Sequence, residues 1–139
     1  MPKPKDTRLS AFKGREARLN RVIFTILDAK KLLTSYDMYL EIRRNKGFRH
    51  TKYPSVDRRM KALQQQHWIS RKGTRRTKPG SDSPFYELSS RGQTAIDVDE
   101  VNMNDFLKNA EEDLLLELRT VLSSFRESQH KFQKPRSRG

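Results

Sequence analysis

Apolar residues in the first third of the chain recur at spacings of three and four, which is the period of one face of an α-helix. The repeat is made by Leu19, Val22, Ile23, Ile26 and Leu27. Charged and small polar residues occupy most positions between them, so the segment can bury one side and leave the other in water. We therefore predict a first helix from Asn20 to Lys31.

A second helix is predicted directly after the first. Ser35 is a candidate N-cap, because its hydroxyl can accept a hydrogen bond from a backbone N–H of the first turn. Gly47 can end the helix in the left-handed conformation, which glycine adopts at low cost. The residues expected on its apolar side are Tyr39, Leu40 and Ile42.

A third helix is predicted to start at Pro54 or Ser55, since proline fits the first helical turn and serine fits an N-cap. Val56, Met60 and Leu63 are spaced four and three apart, which places them on one buried stripe. The other sides of this helix are mostly polar and cationic, so we expect them to face solvent or a partner.

The pattern changes to a period of two after the third helix, which is typical of β-strands. One strand is predicted from Trp68 and a second from Phe85 to Leu88. Residues 72–83 between them are rich in glycine, proline, serine and cations, so we expect a long hairpin tip there. Trp68 and Tyr86 are expected to be buried rather than to stack on single-stranded bases. Three helices followed by a basic hairpin predict an α+β, mainly helical fold of the winged helix-turn-helix type.

The last third of the chain carries its strongest helical signal. We predict a single C-terminal helix from residue 104 to residue 128, about 25 residues and roughly 35–40 Å long at 1.5 Å per residue. A domain of this size cannot cover the whole apolar stripe, so a second copy of the chain is expected to pair with it. Packing wholly within its own domain is the alternative. The expected dimer interface is Phe106, Leu107, Ala110, Leu114, Leu118, Val121, Leu122 and Phe125.

Charge is sorted along the chain, which has a formal net charge of +13. Residues 43–78 contain thirteen basic side chains and one acidic one, Asp57. Residues 97–117 invert this balance, with eight acidic side chains and one basic one, Lys108. A single charge run can be no more than a solvated face, but this sorting indicates one surface for phosphate groups and another for protein. We therefore expect a nucleic acid as the partner of residues 43–78.

The residues that enzymes and metal sites need are scarce. The chain has no cysteine and three histidines, and none of the histidines has a second histidine or a carboxylate at ligand spacing. The sequence contains no glycine-rich phosphate loop and no recognisable catalytic pair of carboxylates. We therefore predict no enzyme, no cofactor and no metal. Without an apolar run that could span a bilayer or act as a leader, we also expect no membrane partner and a cytoplasmic, nucleoid-associated protein.

The segments around the predicted hairpin resemble winged-helix regulators of the MarR and PadR kind. In those families the recognition helix is followed by a leucine, a short turn, a strand, the wing and a Leu-Thr-x-x-Gly segment. The corresponding stretches here are SVDRRMKALQQQHWISR and FYELSSRGQTAI. Leu88, Ser89 and Gly92 match the closing segment, with serine in place of threonine. Gln66 and His67 stand where the families commonly have a glycine in the turn.

The resemblance implies that the third helix enters the major groove of DNA and that the wing reaches the neighbouring minor groove or backbone. Arg58 is then expected to contact a base, because a guanidinium can bind guanine O6 and N7 together. Arg75 and Arg76 are expected at the wing tip, in or near the minor groove. Phosphate contacts are expected from Arg71, Lys72 and Lys78. The full set of expected DNA contacts is Arg49, Thr51, Lys52, Tyr53, Ser55, Arg58, Arg59, Lys61, Arg71, Lys72, Arg75, Arg76 and Lys78.

These interpretations divide the chain into four parts. They are a flexible basic arm (residues 1–18), a winged-helix DNA-binding domain (19–98), a C-terminal dimerisation helix (99–128) and a basic disordered tail (129–139). The leading hypothesis is a homodimer that binds specific double-stranded DNA and regulates transcription. A DNA-binding protein for plasmid partition, replication or chromatin architecture is one alternative, and a winged helix that docks RNA or another protein is a second.

Overall fold

The computed structural model describes residues 9–78 and 81–132, and it describes the side chains of residues 9–76 and 82–129. The chain divides into two units, one that ends at Glu100 and one that begins at Val101. In chain order the first unit contains α1 (Ala17–Lys30), α2 (Ser35–Arg43), α3 (Tyr53–Gln65), β1 (Ile69–Lys78), β2 (Ser81–Leu88) and α4 (Ser90–Glu100). Helices followed by an antiparallel hairpin confirm the predicted α+β, mainly helical fold class of the winged helix-turn-helix type.

The core of the first unit lies where α1, α2, α3 and the base of the hairpin meet. Val56, Met60 and Leu63 of α3 are fully buried, as their spacing predicts. The buried residues of α1 are Asn20, Ile23, Phe24 and Leu27. Burying a large apolar side chain contributes about 1.5–3 kcal/mol, which is more than the modest loss of helix propensity that a β-branched residue such as Val56 brings.

The start of α2 differs by one residue from the prediction, because the N-cap is Thr34 and not Ser35. The Thr34 hydroxyl accepts a hydrogen bond from the Asp37 N–H at 3.1 Å, and the Asp37 carboxylate accepts one from the Thr34 N–H at 3.3 Å. This reciprocal arrangement is a capping box. Ser35 is the first residue inside the helix and is buried.

The end and the apolar side of α2 also differ from the prediction. The helix ends at Arg43, and Gly47 lies in a separate short 3-10 turn. Met38 and Ile42 are the apolar residues that α2 buries, whereas Leu40 is exposed. Residues four apart lie on one helix face, so Met38 shares the buried face with Ile42. Ile42 was predicted there and Met38 was not.

β1 and β2 pair as an antiparallel hairpin that runs outward from the core. Ile69 lies opposite Leu88 at the base, and Arg76 lies opposite Asp82 near the far end. The prediction of a long loop over residues 72–83 is therefore wrong for most of its length. The outer parts of both strands are largely polar, so no alternation of apolar and polar residues marks them in the sequence. Arg75 and Arg76 consequently lie in a strand and not in a loop.

The second half of the predicted flexible basic arm is ordered and partly buried in the structure. Residues 1–8 of that arm lie outside the described part of the chain. Residues 10–12 form a 3-10 turn, and the Phe12 ring packs edge-on against Phe24 with 5.2 Å between ring centroids. Phe12 is buried, and the side-chain amide of Asn20 donates a hydrogen bond to the Ala11 carbonyl at 2.7 Å. Leu9, Ala11 and Phe12 therefore belong to the core or pack against it, whereas residues 13–16 are exposed.

Tyr86 joins the hairpin to the helices. Its backbone exchanges two hydrogen bonds with Leu33, from Leu33 N–H to the Tyr86 carbonyl at 3.1 Å and from Tyr86 N–H to the Leu33 carbonyl at 2.8 Å. The linker between α1 and α2 thus forms an isolated antiparallel bridge with β2 at this residue. The Tyr86 side chain is fully buried, as expected, and Trp68 is partly buried against the core.

The Leu-Ser-x-x-Gly segment closes the hairpin onto α4. The Ser89 hydroxyl lies 2.6 Å from the His67 carbonyl and 2.9 Å from the Trp68 carbonyl, and it accepts a hydrogen bond from the Gly92 N–H at 3.0 Å. A Cβ atom on Gly92 would come within 2.2 Å of the Trp68 carbonyl oxygen. The glycine is therefore required by the close approach of α4 to the turn before β1.

The second unit contains α5 (Met103–Asn109) and α6 (Glu112–Phe132), so the prediction of one helix from residue 104 to residue 128 is wrong. Ala110, the C-cap of α5, has an extended backbone with φ of −68° and ψ of 142°, which interrupts the helix. Neither glycine nor proline marks this break, and alanine is the strongest helix former, so the sequence contains no local signal for it.

The boundaries of the second unit also shift. The N-cap of α5 is Asn102, whose side-chain oxygen accepts a hydrogen bond from the Asp105 N–H at 3.2 Å. At the other end α6 continues to Phe132, so the first residues of the predicted tail are helical. Residues 133–139 of that tail lie outside the described part of the chain.

Replacing Gly92 with alanine is expected to destabilise the first unit by about 2 kcal/mol or more, because backbone must move to admit the methyl group. Urea unfolding followed by circular dichroism measures the free energy of unfolding. The matched control is Gln93→Ala at an exposed position of α4, which should change that free energy by less than about 0.5 kcal/mol. A Gly92→Ala variant as stable as the wild type would contradict the close approach of α4.

His67 has a φ of 67°, which is the left-handed conformation that glycine adopts without strain. This explains why a glycine is usual in this turn of the resembling families. His67→Gly is expected to raise the free energy of unfolding by about 0.5–1 kcal/mol, because relief of left-handed strain exceeds the entropy that glycine adds to the unfolded chain. Gln66→Gly is the matched control: Gln66 has a φ of −86°, so the same urea measurement should give a loss of stability.

Candidate nucleic-acid interface

The side of α3 opposite its buried stripe is polar and exposed. Arg58, Lys61 and Gln65 lie on it, since they are about half a turn from the stripe at 3.6 residues per turn. The Asp57 carboxylate accepts a hydrogen bond from Lys61 at 2.9 Å. This hydrogen bond, together with the negative charge of Asp57, raises the pKa of Lys61, so the ammonium group is firmly protonated at neutral pH. Arg58 and Lys61 therefore present two cations in the same outward direction.

The lead-in to α3 adds polar groups to the same end of the helix. Lys52 and Ser55 are exposed, and Thr51 is partly buried. Burial, and then the nearby Asp57 carboxylate, raise the pKa of Tyr53. The Tyr53 hydroxyl thus stays protonated near neutral pH and can donate a hydrogen bond to an anion.

Arg59 does not share this outward direction. Its side chain is 19% exposed and its guanidinium lies 3.8 Å from the Glu16 carboxylate, which precedes α1. The position is one residue before the buried Met60, so it flanks the core side of the helix. The structure thus places Arg59 between α3 and α1, while Arg58 faces solvent.

Three tyrosines form an aromatic cluster that the sequence analysis missed. Tyr36, Tyr39 and Tyr53 lie with ring centroids 5.8–6.2 Å apart, at the start of α2 and the start of α3. Tyr36 is 56% exposed. Arg43 donates a hydrogen bond to the Tyr39 hydroxyl at 2.9 Å and another to the Arg49 carbonyl at 3.3 Å. The available signal was the i, i+3 spacing of Tyr36 and Tyr39 on one helix face.

The cations of the wing are held near acidic neighbours. Lys72 lies 3.7 Å from the Glu87 carboxylate, and Arg76 lies 3.7 Å from that of Asp82. Both cations remain largely exposed, and Arg71 is also exposed. The Lys78 backbone pairs with Ser81 at the end of β1, but its side chain lies outside the described part of the chain.

Arg75 is the wing cation with the most contacts. Its guanidinium binds both oxygens of the Asp37 carboxylate, at 3.1 and 3.0 Å, and lies 5.0 Å from the centroid of the Phe85 ring. Partial burial would raise the pKa of Asp37, but hydrogen bonds from Arg75 and Thr34 outweigh this effect and lower it. Asp37 is therefore ionised at neutral pH, and the ion pair connects the wing to the first turn of α2.

These contacts bring three parts of the chain into one surface. Tyr53 at the start of α3 contacts Tyr36, Tyr36 is followed in α2 by Asp37, and Asp37 binds Arg75 of the wing. We call this the α2–α3–wing surface. Of the predicted DNA contacts, Tyr53 and Arg75 belong to this surface. Ser55, Arg58 and Arg59 instead line a groove together with Glu16 and Leu19, on the side of α3 next to α1.

The predicted dimer residues of the second unit form an apolar stripe along α5 and α6. Leu107, Leu114, Val121, Leu122 and Phe125 are exposed, and Phe106, Ala110 and Leu118 are partly buried. The break at Ala110 divides the stripe into a short part on α5 and a long part on α6. Exposed apolar side chains in such number are unusual on a monomeric surface.

Among residues 9–78 and 81–132, no group of three or more histidine or acidic side chains is placed to hold a metal ion. Within the same ranges, no helix is both long enough and apolar enough to cross a membrane.

No protein-family model matches the sequence, and no curated protein matches it significantly. Among solved structures, PadR of Bacillus subtilis in complex with operator DNA is similar at 17% identity and a TM-score of 0.45, over 84% of this chain and 78% of that one. A chain from Thermoplasma acidophilum that is described as a transcriptional regulator is similar at 12% identity and a TM-score of 0.45, over 70% of this chain and 100% of that one. The first belongs to one of the two families that the sequence resembles.

Proposed function

We propose that this chain binds specific double-stranded DNA as a homodimer and regulates transcription. The observation that carries the proposal is the α2–α3–wing surface, where Tyr53 at the start of α3 is linked through α2 to Arg75 of a basic antiparallel hairpin. The helix α3 also exposes the cations Arg58 and Lys61. A helix of this size fits the major groove, and a two-stranded hairpin beside it fits the adjacent minor groove or backbone.

The chemistry of the surface supports duplex DNA over other anions. Arg58 carries two parallel donors that suit a guanine edge, and it is not engaged with Glu16 as Arg59 is. Exposed hydroxyls on Tyr36 and Tyr53 and the cations of the wing suit phosphate oxygens, which give affinity and orientation. Base contact and phosphate contact are therefore available from different exposed residues of α2, α3 and the wing.

Selection from a pool of random duplexes, followed by titration of the selected and a scrambled duplex, tests DNA recognition. Arg58→Ala is expected to reduce the discrimination between the two duplexes by about 1–3 kcal/mol, because a bidentate base contact is lost. Arg91→Ala on α4 is the matched control. It removes the same charge at the C-terminal end of α3, where Arg91 donates a hydrogen bond to the Gln66 carbonyl at 3.5 Å, and it should keep the discrimination.

Three results would contradict this reading. Uniform binding to all duplexes would favour an architectural or partition role, and a preference for structured RNA at equal salt would favour an RNA-docking winged helix. Unchanged discrimination by Arg58→Ala would remove this residue from base recognition.

The homodimer is supported by the exposed stripe of α6. Val121→Glu is expected to shift the chain from dimer to monomer in sedimentation velocity runs, because the carboxylate would be buried without a partner in each copy. Leu116→Glu is the matched control, since Leu116 is 52% exposed, close to the 63% of Val121, but lies on the opposite face of α6. A wild-type chain that stays monomeric at high micromolar concentration, or equal effects of both variants, would contradict the proposed interface.

A further inference from the structure

We propose that Arg75 is a positioning residue, which fixes the wing against the first turn of α2 instead of contacting DNA. The inference rests on the proposed function, because the orientation of the wing matters only if the wing meets a duplex. It replaces the expectation that Arg75 and Arg76 play the same part.

Arg75 is held from two sides, and its partner is also held. The guanidinium binds both Asp37 oxygens at 3.1 and 3.0 Å, and it lies over the Phe85 ring at 5.0 Å from the centroid. Asp37 in turn accepts the Thr34 N–H in the capping box. A two-point contact between a planar guanidinium and a carboxylate fixed by a helix cap defines an orientation, which a single flexible ion pair does not.

The neighbouring residues of β1 show that the two arginines are used differently. Successive side chains of a strand point to opposite faces, so Arg75 and Arg76 cannot both turn toward α2. The Arg76 side chain is 82% exposed and lies 3.7 Å from Asp82 of the facing strand, while that of Arg75 is 45% exposed. Arg76 is therefore the cation of this pair that is available to phosphate.

The ion pair also solves an electrostatic problem of the α2–α3–wing surface. Asp37 binds Arg75 of the wing, so its carboxylate lies beside the basic hairpin, where phosphates are expected. An unpaired carboxylate there would repel the DNA backbone. If a phosphate captured Arg75, the Asp37 charge would be left uncompensated, so the guanidinium is better retained by Asp37.

The experiment compares the wild type with Arg75→Gln, Arg76→Gln and Asp37→Ala in titrations of the selected duplex over a range of salt concentrations. Arg76→Gln is expected to reduce the magnitude of the slope of log binding constant against log salt concentration by about 0.9, the value for one lost phosphate contact. Arg75→Gln is expected to weaken binding by about fivefold with an unchanged slope, because it loosens the wing without removing a phosphate contact. Asp37→Ala should weaken binding by a similar factor although it removes a negative charge.

A reduced salt dependence for Arg75→Gln together with tighter binding by Asp37→Ala would overturn the proposal. If Arg75 contacts DNA directly, Arg75→Gln lowers the slope as Arg76→Gln does, and Asp37→Ala binds more tightly because repulsion is removed and Arg75 is released. The double variant Asp37→Ala with Arg75→Gln adds a coupling test, since a shared pair makes the double loss smaller than the sum of the single losses.

Amide hydrogen exchange without DNA separates this proposal from the proposed function. Faster exchange at Thr74–Arg76 in Arg75→Gln and Asp37→Ala, with wild-type rates in α1, supports the ion pair as the support of the wing. Unchanged exchange in both variants overturns it. A wild-type chain that binds no duplex would instead overturn the proposed function, and the exchange result would still decide whether Arg75 holds the wing.

Discussion

The position of the wing depends on the burial of Tyr86. Its side chain lies in the core and its backbone bonds in both directions to Leu33, so β2 is fixed to the helices on the inside and to β1 on the outside. The hairpin leaves the helical core in the direction set at this residue. Farther out, at Arg75 and Arg76, the strands have no core residue beneath them, and their orientation must come from other contacts. The ion pair of Arg75 with Asp37 is a contact of that kind.

The acidic residues of α2, α3 and the hairpin that lie next to cations have a common arrangement. Each of four carboxylates lies beside a cation: Asp37 beside Arg75, Asp57 beside Lys61, Asp82 beside Arg76 and Glu87 beside Lys72. Solvent-exposed pairs contribute little to stability, about 0–1 kcal/mol each. Their effect is to hold long, flexible side chains in chosen directions and to reduce repulsion between neighbouring cations. A surface that must meet a regular array of phosphates benefits from both.

The sequence could predict those parts of the fold that a local pattern determines. The stripe of Val56, Met60 and Leu63 follows from helical spacing, because the same residues that fit one face are the ones a core must cover. The outer hairpin could not be predicted in this way, since its strands are paired but mostly polar. Phe12 lies in the short segment from Leu9 to Phe12, and it packs against Phe24, twelve positions away. The segment is too short to show a helical or strand period, so the sequence pattern does not reveal its burial. The extended backbone of Ala110 opposes the intrinsic preference of alanine and was equally hidden.

The candidate site also has features that the sequence predicted and features that it did not. The acidic partners of its arginines belong to the second group, and they change the interpretation of its charge. Counting cations treats Arg58, Arg59 and Arg75 as equivalent. The family resemblance assigned Arg58 to a base and Arg75 to the wing, but the sequence did not reveal which of the three has an acidic partner. The structure separates them by their partners: Arg58 faces outward, Arg59 lies against Glu16, and Arg75 binds Asp37, which is 38 residues away. Of these three arginines, Arg58 alone can replace surrounding water with the edge of a base without leaving a carboxylate unpaired. In the proposed function, the net charge of residues 43–78 provides the attraction to a duplex, and the acidic partners determine which arginines are free to contact a base.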